Sequence, residues 1–321
     1  MGWDLVADIG GTNARFAAVV EGKVLDKHSY STKNQDDLHE IFAQFIGTQQ
    51  SSPRRVMVAA AGVINDGFVQ LTNAEKKVDL GKLLAIAQPE HIWVINDFEA
   101  AAWALATVDE SKVEIIRGVE RIPTGNRLIL GPGTGLGVGM LVAHNGSYSA
   151  VAGEGGHIGI SPFSATDVPI FEAFQQFWPE TQAGVGSLCF EAEAFLSGTG
   201  IPRLYEAICR VHGCGSNRNT AKAILDAAVL GEDPAATKTA EMVSSYLGRL
   251  VGDLSLFASA KGGVFLTGVL LLQNSWLLNE RFIEAFGQGG RFTSYREDIP
   301  VYLYTSDDFG IVGGINAFAA K

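Results

Sequence analysis

Cysteine is scarce in this 321-residue chain: three residues, Cys189, Cys209 and Cys214, odd in number and without C-x-x-C spacing. That excludes a disulfide scaffold and a four-cysteine zinc site, and it fits a reducing compartment with thiols buried or half-buried. Basic residues are also short, 24 against 35 acidic ones, for a formal charge of −11. Such a chain is a poor ligand for polyanions, so nucleic acid and acidic membrane surfaces are not expected as partners. Long apolar runs are missing: the longest, 264–272, is interrupted by Thr267 and Gly268 and is too short for a bilayer. No basic segment precedes an apolar core at the N-terminus, and position 6 is Val rather than Ser or Thr after Gly2. Neither a signal peptide nor a myristoylation signal is therefore expected, and the chain reads as soluble and cytoplasmic.

Glycine is in excess, 38 residues or about 12% against a usual ~7%. Tight turns or close backbone approach to a ligand would use it. The remaining composition, 47% hydrophobic and 18% charged, is ordinary for a folded protein. At roughly 150 residues per domain the length suggests about two domains.

Apolar periodicity predicts strands at 5–9, 15–20 and 23–30, a helix at 38–46, and strands at 55–60, 67–71 and 91–95, the last running into a helix at 98–106. A second region has a strand at 127–130, a glycine loop, a strand at 138–143 and a glycine-rich stretch at 152–159. It is mainly helical from about 168, with a long helix at 235–260, a strand at 263–267, a helix at 276–286, a strand at 301–305 and a last helix at 311–320. The order predicts an α/β protein with mixed sheets, divided as 1–107 plus 300–321 and 108–299 around a cleft.

One internal repeat stands out. Placing Thr12 over Thr134 aligns the apolar stretch 5–7 with 127–129, Gly11 with Gly133, and the strand 14–20 with 136–142. Each copy is strand, glycine-threonine turn, strand. Two such turns could grip one polyphosphate; Gly-rich hairpins recurring by chance is the other reading.

Four segments carry candidate chemistry. In Asp8-Ile9-Gly10-Gly11-Thr12-Asn13-Ala14-Arg15, glycines would let backbone N–H groups approach phosphate oxygens, Thr12 adds a hydroxyl, and Asp8 could hold magnesium through water. It is neither a Walker A loop nor a Rossmann fingerprint, and a hairpin turn needing positive φ at glycine accounts for it equally well. Gly131-Pro132-Gly133-Thr134-Gly135-Leu136-Gly137 is the second glycine loop, with a barrel corner or bulge as its plain alternative. Asn96-Asp97 stands where a strand's carboxyl end meets a helix, a usual ligand position; Asp97 there is either a general base or a helix N-cap. Gly153-Glu154-Gly155-Gly156-His157 offers a carboxylate and an imidazole on a loop, since three glycines argue against a metal-binding helix.

Together these segments resemble the phosphate motifs of the actin, Hsp70 and sugar-kinase superfamily, and Asp-x-Gly-Gly-Thr-Asn-x-Arg with Leu-Gly-Pro-Gly-Thr-Gly-Leu-Gly is similar to bacterial glucokinases. The resemblance runs from Asp8 to the terminal helix. It implies a two-domain actin-like ATPase (ribonuclease H-like) fold with an interdomain cleft, and transfer of phosphate from MgATP to the 6-hydroxyl of glucose at the entry to glycolysis. Asp97 would be the base. Asn96, Asp97, Glu154, His157, Glu193 and Gly135 would bind sugar, and Asp8, Gly10, Gly11, Thr12, Asn13, Gly133, Thr134 and Gly268 the nucleotide, with Asp8 near Mg2+. A homodimer is implied as well. Glu193 begins Glu-x-x-Leu-Ser-Gly, as in the family, yet it and Glu191 also read as solvated helix-end charges. Leu266-Thr267-Gly268 resembles the adenosine-contacting motif with Val269 in place of a second glycine, which leaves the adenine contacts open. Thr72-Asn73 resembles a pair near the family's sugar pocket, and Asp307-Asp308-Phe309-Gly310 predicts a loop and helix start. The related repressor/open-reading-frame/kinase (ROK) family carries a cysteine-rich zinc motif near its histidine; no cysteine follows His157 until Cys189, so the non-ROK family is the better match.

Other readings are a kinase of a different hexose, a non-catalytic sugar sensor or regulator, and a superfamily ATPase acting on a protein or acyl group. A regulator would need a DNA-binding appendage, for which a first strand at residue 5 leaves no room at that end.

Overall fold

The computed structural model describes residues 2–33, 37–65, 67–71 and 76–321, with backbone alone for 63–65. The pair Thr72-Asn73 lies outside the described residues. The chain forms two compact units. The first comprises residues up to Lys112, Gly139–Gly153 and Ser306–Lys321; the second comprises Val113–Val138 and Glu154–Thr305.

The first unit opens with the predicted meander β1 (Asp4–Ile9), β2 (Asn13–Val20) and β3 (Lys23–Ser31), then α1 (Leu38–Gly47) and β4 (Arg55–Ala60). A small three-stranded sheet follows, β5 (Gly62–Asn65), β6 (Phe68–Leu71) and β7 (Lys77–Asp79), before α2 (Leu80–Ala87), β8 (His91–Asn96) and α3 (Asp97–Ala104). The main sheet runs β3-β2-β1-β4-β8; β1, β4 and β8 are parallel while β2 and β3 are antiparallel. The β1 strand is buried along its whole length, as a central strand covered on both faces should be. Phe16, Phe42 and Phe45 fill the layer beneath, with Phe16 edge-on to Phe42 at 4.8 Å between centroids.

In the second unit β9 (Val113–Arg117) and β10 (Arg127–Pro132) precede β11 (Leu136–His144), whose residues from Gly139 on belong to the first unit and pair antiparallel with β12 (Ser147–Val151). The short strands β13 (Gly159–Ile160) and β14 (Phe190–Glu191) pair antiparallel, with α4 (Val168–Phe177) between them. Helices α5 (Glu193–Leu196), α6 (Gly200–His212), α7 (Ala221–Leu230) and α8 (Pro234–Ala258) lead to β15 (Val264–Leu266), α9 (Val269–Gln273), α10 (Glu280–Gly287), α11 (Thr293–Glu297) and β16 (Val301–Tyr304). Strands β10, β15 and β16 are parallel neighbours, with β9 antiparallel at the edge. The final helix, α12 (Phe309–Ala319), packs in the first unit against α3, where Gly313 leaves no room for a side chain beside the Ala100 backbone.

Three expectations need correction. Residues 300–305 group with the second unit because β16 pairs with β15 and β9, and 108–112 and 139–153 group with the first, β12 packing on α3. The helix expected at 276–286 is split: Ser275–Leu277 is a separate 3-10 turn, and Asn279 caps α10 by accepting the N–H groups of Arg281 and Phe282. Cys209 is buried and Cys189 half-buried, but Cys214 is exposed. Among the described residues no helix is long and apolar enough to cross a membrane.

Candidate active site

The first glycine-threonine turn connects β1 to β2. Neither Gly10 nor Gly11 has a positive φ, so the hairpin reading that required one does not hold. The Gly10 N–H donates to the Asn13 carbonyl at 2.9 Å, which spends it on closing the turn, and the Thr12 carbonyl accepts the Thr32 N–H at 2.9 Å. Thr12 and Asn13 point into solvent. Asp8, at the end of β1, is buried and takes Arg15 at 3.3 Å; Arg15 also reaches Asp307 at 3.0 Å. Burial pushes the Asp8 carboxyl above the ordinary range, against the pull of the Arg15 guanidinium. Asp307-Asp308 precede α12 as expected, and Gly310 in its first turn lies flat on the Asp8 carboxylate, where a Cβ would overlap it.

At the end of β8 the division of labour differs from a capping aspartate. Asn96 is the N-cap of α3, its Oδ1 accepting the Phe98 N–H at 2.8 Å, and Asp97 occupies the first helical position, where it shares the same N–H at 3.0 Å. A carboxylate at a helix N-terminus is favoured as the anion by the helix dipole. The first turn is crowded: Gly139 admits no Cβ against the Phe98 carbonyl.

In the second unit the other Gly-Thr turn is built to the same plan. The Gly133 N–H donates to the Gly135 carbonyl at 2.8 Å, and the exposed Thr134 has its carbonyl held by the Thr199 hydroxyl at 2.9 Å. A Cβ on Gly133 would meet nothing, so the protein itself does not require glycine there; the bare face is open to a ligand. Gly135 is different: a Cβ would stand 2.5 Å from Glu193 Oε2, the oxygen that accepts the Leu136 N–H at 2.7 Å. Glu193 is thus no solvated helix-end charge. Gly156 packs flat on the Leu136 carbonyl and Gly155 on Val138, so the loop carrying Glu154 and His157 lies on the start of β11. His157 Nδ1 is 2.9 Å from Glu191 Oε2. That hydrogen bond, with the charges of Glu193 and Glu154 behind it, raises the His157 pKa.

Beside this turn opens a pocket of about 320 Å³ lined by Gly133, Thr134, Thr199, Lys222, Val269 and Gln273, among others. Gly268, at φ 90°, precedes α9 with its α-carbon against the Pro132 carbonyl, which a Cβ would approach to 2.5 Å. Val269, which stands in place of the second glycine, exposes its side chain on the pocket wall. The residues missed from the sequence are Gly198 and Thr199: the Gly198 N–H donates to the Gly133 carbonyl at 2.8 Å. Their signal is Leu196-Ser197-Gly198, the end of the Glu-x-x-Leu-Ser-Gly segment that begins at Glu193.

Two glycine-threonine turns, a strand-end Asn-Asp and a Glu/His cluster braced on one of the turns stand in a chain that is similar over nearly its whole length to known proteins. A family model described as Glucokinase matches residues 5–321. The chain belongs to the glucokinase family. A glucokinase from Brucella suis is 35% identical over 323 residues, covering 98% of this chain and 90% of that protein. The solved structure of a glucokinase from an Antarctic psychrotroph superposes with a TM-score of 0.86 at 30% identity, over the full length of both chains. A glucokinase of Balamuthia mandrillaris solved with glucose shares the fold at 21% identity, covering 100% of this chain and 94% of that one, with a TM-score of 0.79. The fold is accordingly the α/β actin-like ATPase fold of the glucokinase family.

Among the described residues no group of three or more His, Cys, Asp or Glu could hold a metal ion. A magnesium carried by a nucleotide needs only one or two protein carboxylates, because phosphates and water complete its shell. Asp8, a single carboxylate with one guanidinium partner, fits that part.

Proposed function

We propose that this protein transfers the γ-phosphoryl group of MgATP to the 6-hydroxyl of glucose, giving glucose 6-phosphate and ADP. The observation that carries the reading is the Glu193–Leu136 hydrogen bond, which ties a carboxylate suited to sugar hydroxyls to the backbone of a phosphate turn. Glu154, His157 and Glu193 hydrogen-bond the sugar, joined by Asn96 and Asp97, and Gly135 gives the backbone room beside it. Asp97 takes the proton of the attacking 6-hydroxyl, supplying the general base that phosphoryl transfer to an alcohol uses. Gly11, Thr12 and Asn13 on one turn, with Thr134 on the other, donate to phosphate oxygens, while Gly10 and Gly133, whose N–H groups close the turns, let the phosphates approach the bare backbone. Adenosine occupies the pocket walled by Val269 and floored near Gly268, its apolar face against the valine. Asp8 holds the nucleotide's magnesium through water, and that ion supplies charge neutralisation on the phosphates. Positioning and fixed donors provide most of the acceleration, since the transition-state charge lies on phosphoryl oxygens. The family resemblance supports a homodimer, and together with the low cysteine content it supports a cytoplasmic setting.

The test is glucose 6-phosphate formation from MgATP and glucose, with Asp97→Ala alongside. Wild-type turnover is expected, and a loss of about 10²- to 10⁴-fold in the variant with glucose binding largely kept. A variant within tenfold of wild type removes Asp97 as base. A wild type that hydrolyses ATP but leaves glucose untouched overturns the sugar assignment.

A further inference from the structure

The Glu/His cluster contains one carboxylate that the proposed reaction does not use. Glu191 lies on β14, where it faces Gly159 across the two-stranded ladder, and Ala192 N–H donates to the Ile158 carbonyl at 2.9 Å. The ladder therefore fixes Glu191 relative to His157, two residues before Gly159. The side chains meet at 2.9 Å between Oε2 and Nδ1. Glu191 cannot slide away on its own strand, and His157 is held from the other side by its N–H, which donates to the Glu154 carbonyl at 3.0 Å.

We propose that Glu191 is a positioning residue for the sugar: by taking the Nδ1–H of His157 it fixes the ring and its tautomer, leaving Nε2 to meet a sugar oxygen. A carboxylate on one ring nitrogen decides what the other nitrogen offers. With the ring neutral, Nε2 accepts from a hydroxyl; with the ring charged, Nε2–H donates to one. Three carboxylates face the ring from three segments, Glu191 from β14, Glu193 from α5 and Glu154 from its own loop, and they favour the charged, donating form. His157 is about half exposed, 48% by side chain, and Glu191 36%, so solvent tempers the electrostatic part while the geometric part remains. A second consequence concerns Glu193. With Glu191 engaged by the imidazole, Glu193 is left to the Leu136 amide and to the ligand.

The proposal rests on the glucose-kinase reading, and the experiment separates the two. Glu191→Gln and Glu191→Asp are compared with wild type in steady-state kinetics across pH, and the His157 ring is titrated by NMR without substrate. Glu191→Gln should raise the glucose KM about tenfold with kcat within about threefold, the worth of one charge-assisted hydrogen bond. Its His157 should titrate at lower pH than in wild type, and the alkaline loss of glucose affinity should move down with it. Glu191→Asp should recover part of both effects. An unchanged glucose KM together with an unmoved His157 titration overturns the proposal, as does a loss confined to kcat. A moved titration with no change in KM shows a pairing that does not serve the sugar, and overturns it too. Failure of the functional reading looks different: wild type itself would form no glucose 6-phosphate, and the sugar role of Glu191 would fall with it.

Discussion

Glu193 Oε2 sits 2.7 Å from the Leu136 amide nitrogen and occupies the space a side chain on Gly135 would need. One carboxylate therefore borders the second Gly-Thr turn, where the phosphates are proposed to bind, and the proposed sugar site at once. Gly135→Ala should push that carboxylate off the amide and disturb both substrates together. The expected result is a fall of about tenfold or more in kcat/KM for ATP and for glucose alike, since misplacement near 1 Å carries costs of that size. Kinetics with each substrate varied in turn check it; a change in one KM alone would separate the two functions.

Gly310→Ala places a methyl group against the Asp8 carboxylate, which is already confined by burial and Arg15. The carboxylate must move, and the nucleotide's magnesium is its proposed partner. The KM for MgATP should rise several-fold at limiting magnesium, with the glucose KM unchanged. Activity titrated against free Mg2+ measures this directly.

Gly268 combines a positive φ with contact against the Pro132 carbonyl. Gly268→Ala meets both a strained backbone and a clash, so a stability loss of about 1–3 kcal/mol is expected. Urea unfolding reports the loss. An ATP KM raised more than the glucose KM would show that the pocket beside Val269 is where adenosine binds.

Asp4 anchors the start of β1, accepting two hydrogen bonds each from Arg54 and Arg55, at 2.6–3.3 Å. Burial pushes its carboxyl up, but the two guanidiniums win and hold it below the ordinary carboxylate range. A pKa depressed in the folded state means stabilisation that is complete above the unfolded value and drains as pH falls through the folded one. Asp4→Asn should therefore cost about 1–3 kcal/mol at neutral pH, both arginines being partly hydrated. The gap between variant and wild type should narrow below about pH 4, as chemical denaturation at a series of pH values would show.

Much of this architecture was legible because its signals are local. The β1–β2 hairpin, β4, β8 and α8 follow from apolar periodicity, and α1 from Leu38, Ile41, Phe42 and Phe45 on one face, all buried. The short elements were not legible: β7, β13 and β14 are two or three residues long and exist only because a partner strand is present. The membership of 139–153 escaped for the same reason, since β12 is an alternately exposed strand whose partner α3 lies about fifty residues earlier. In the candidate site, motif residues could be picked out but not their partners. Glu191 and Glu193 are two positions apart, and sequence cannot tell that one faces an imidazole and the other a backbone amide. Asp97 as N-cap was reasonable by residue type, yet Asn96 competes for the same N–H and has the extended backbone a cap requires.

The carbonyls of Thr12 and Thr134 are each fastened by a later threonine, Thr32 at the end of the adjacent strand and Thr199 sixty-five residues downstream. During synthesis these two fasteners arrive at very different times. The first turn is complete as soon as its own meander has emerged, a short-range closure that forms quickly. The second waits until the segment after α5 has left the ribosome and folded back. A nascent chain arrested after residue 134 has emerged but before residue 199 has been made would carry one finished turn and one open one.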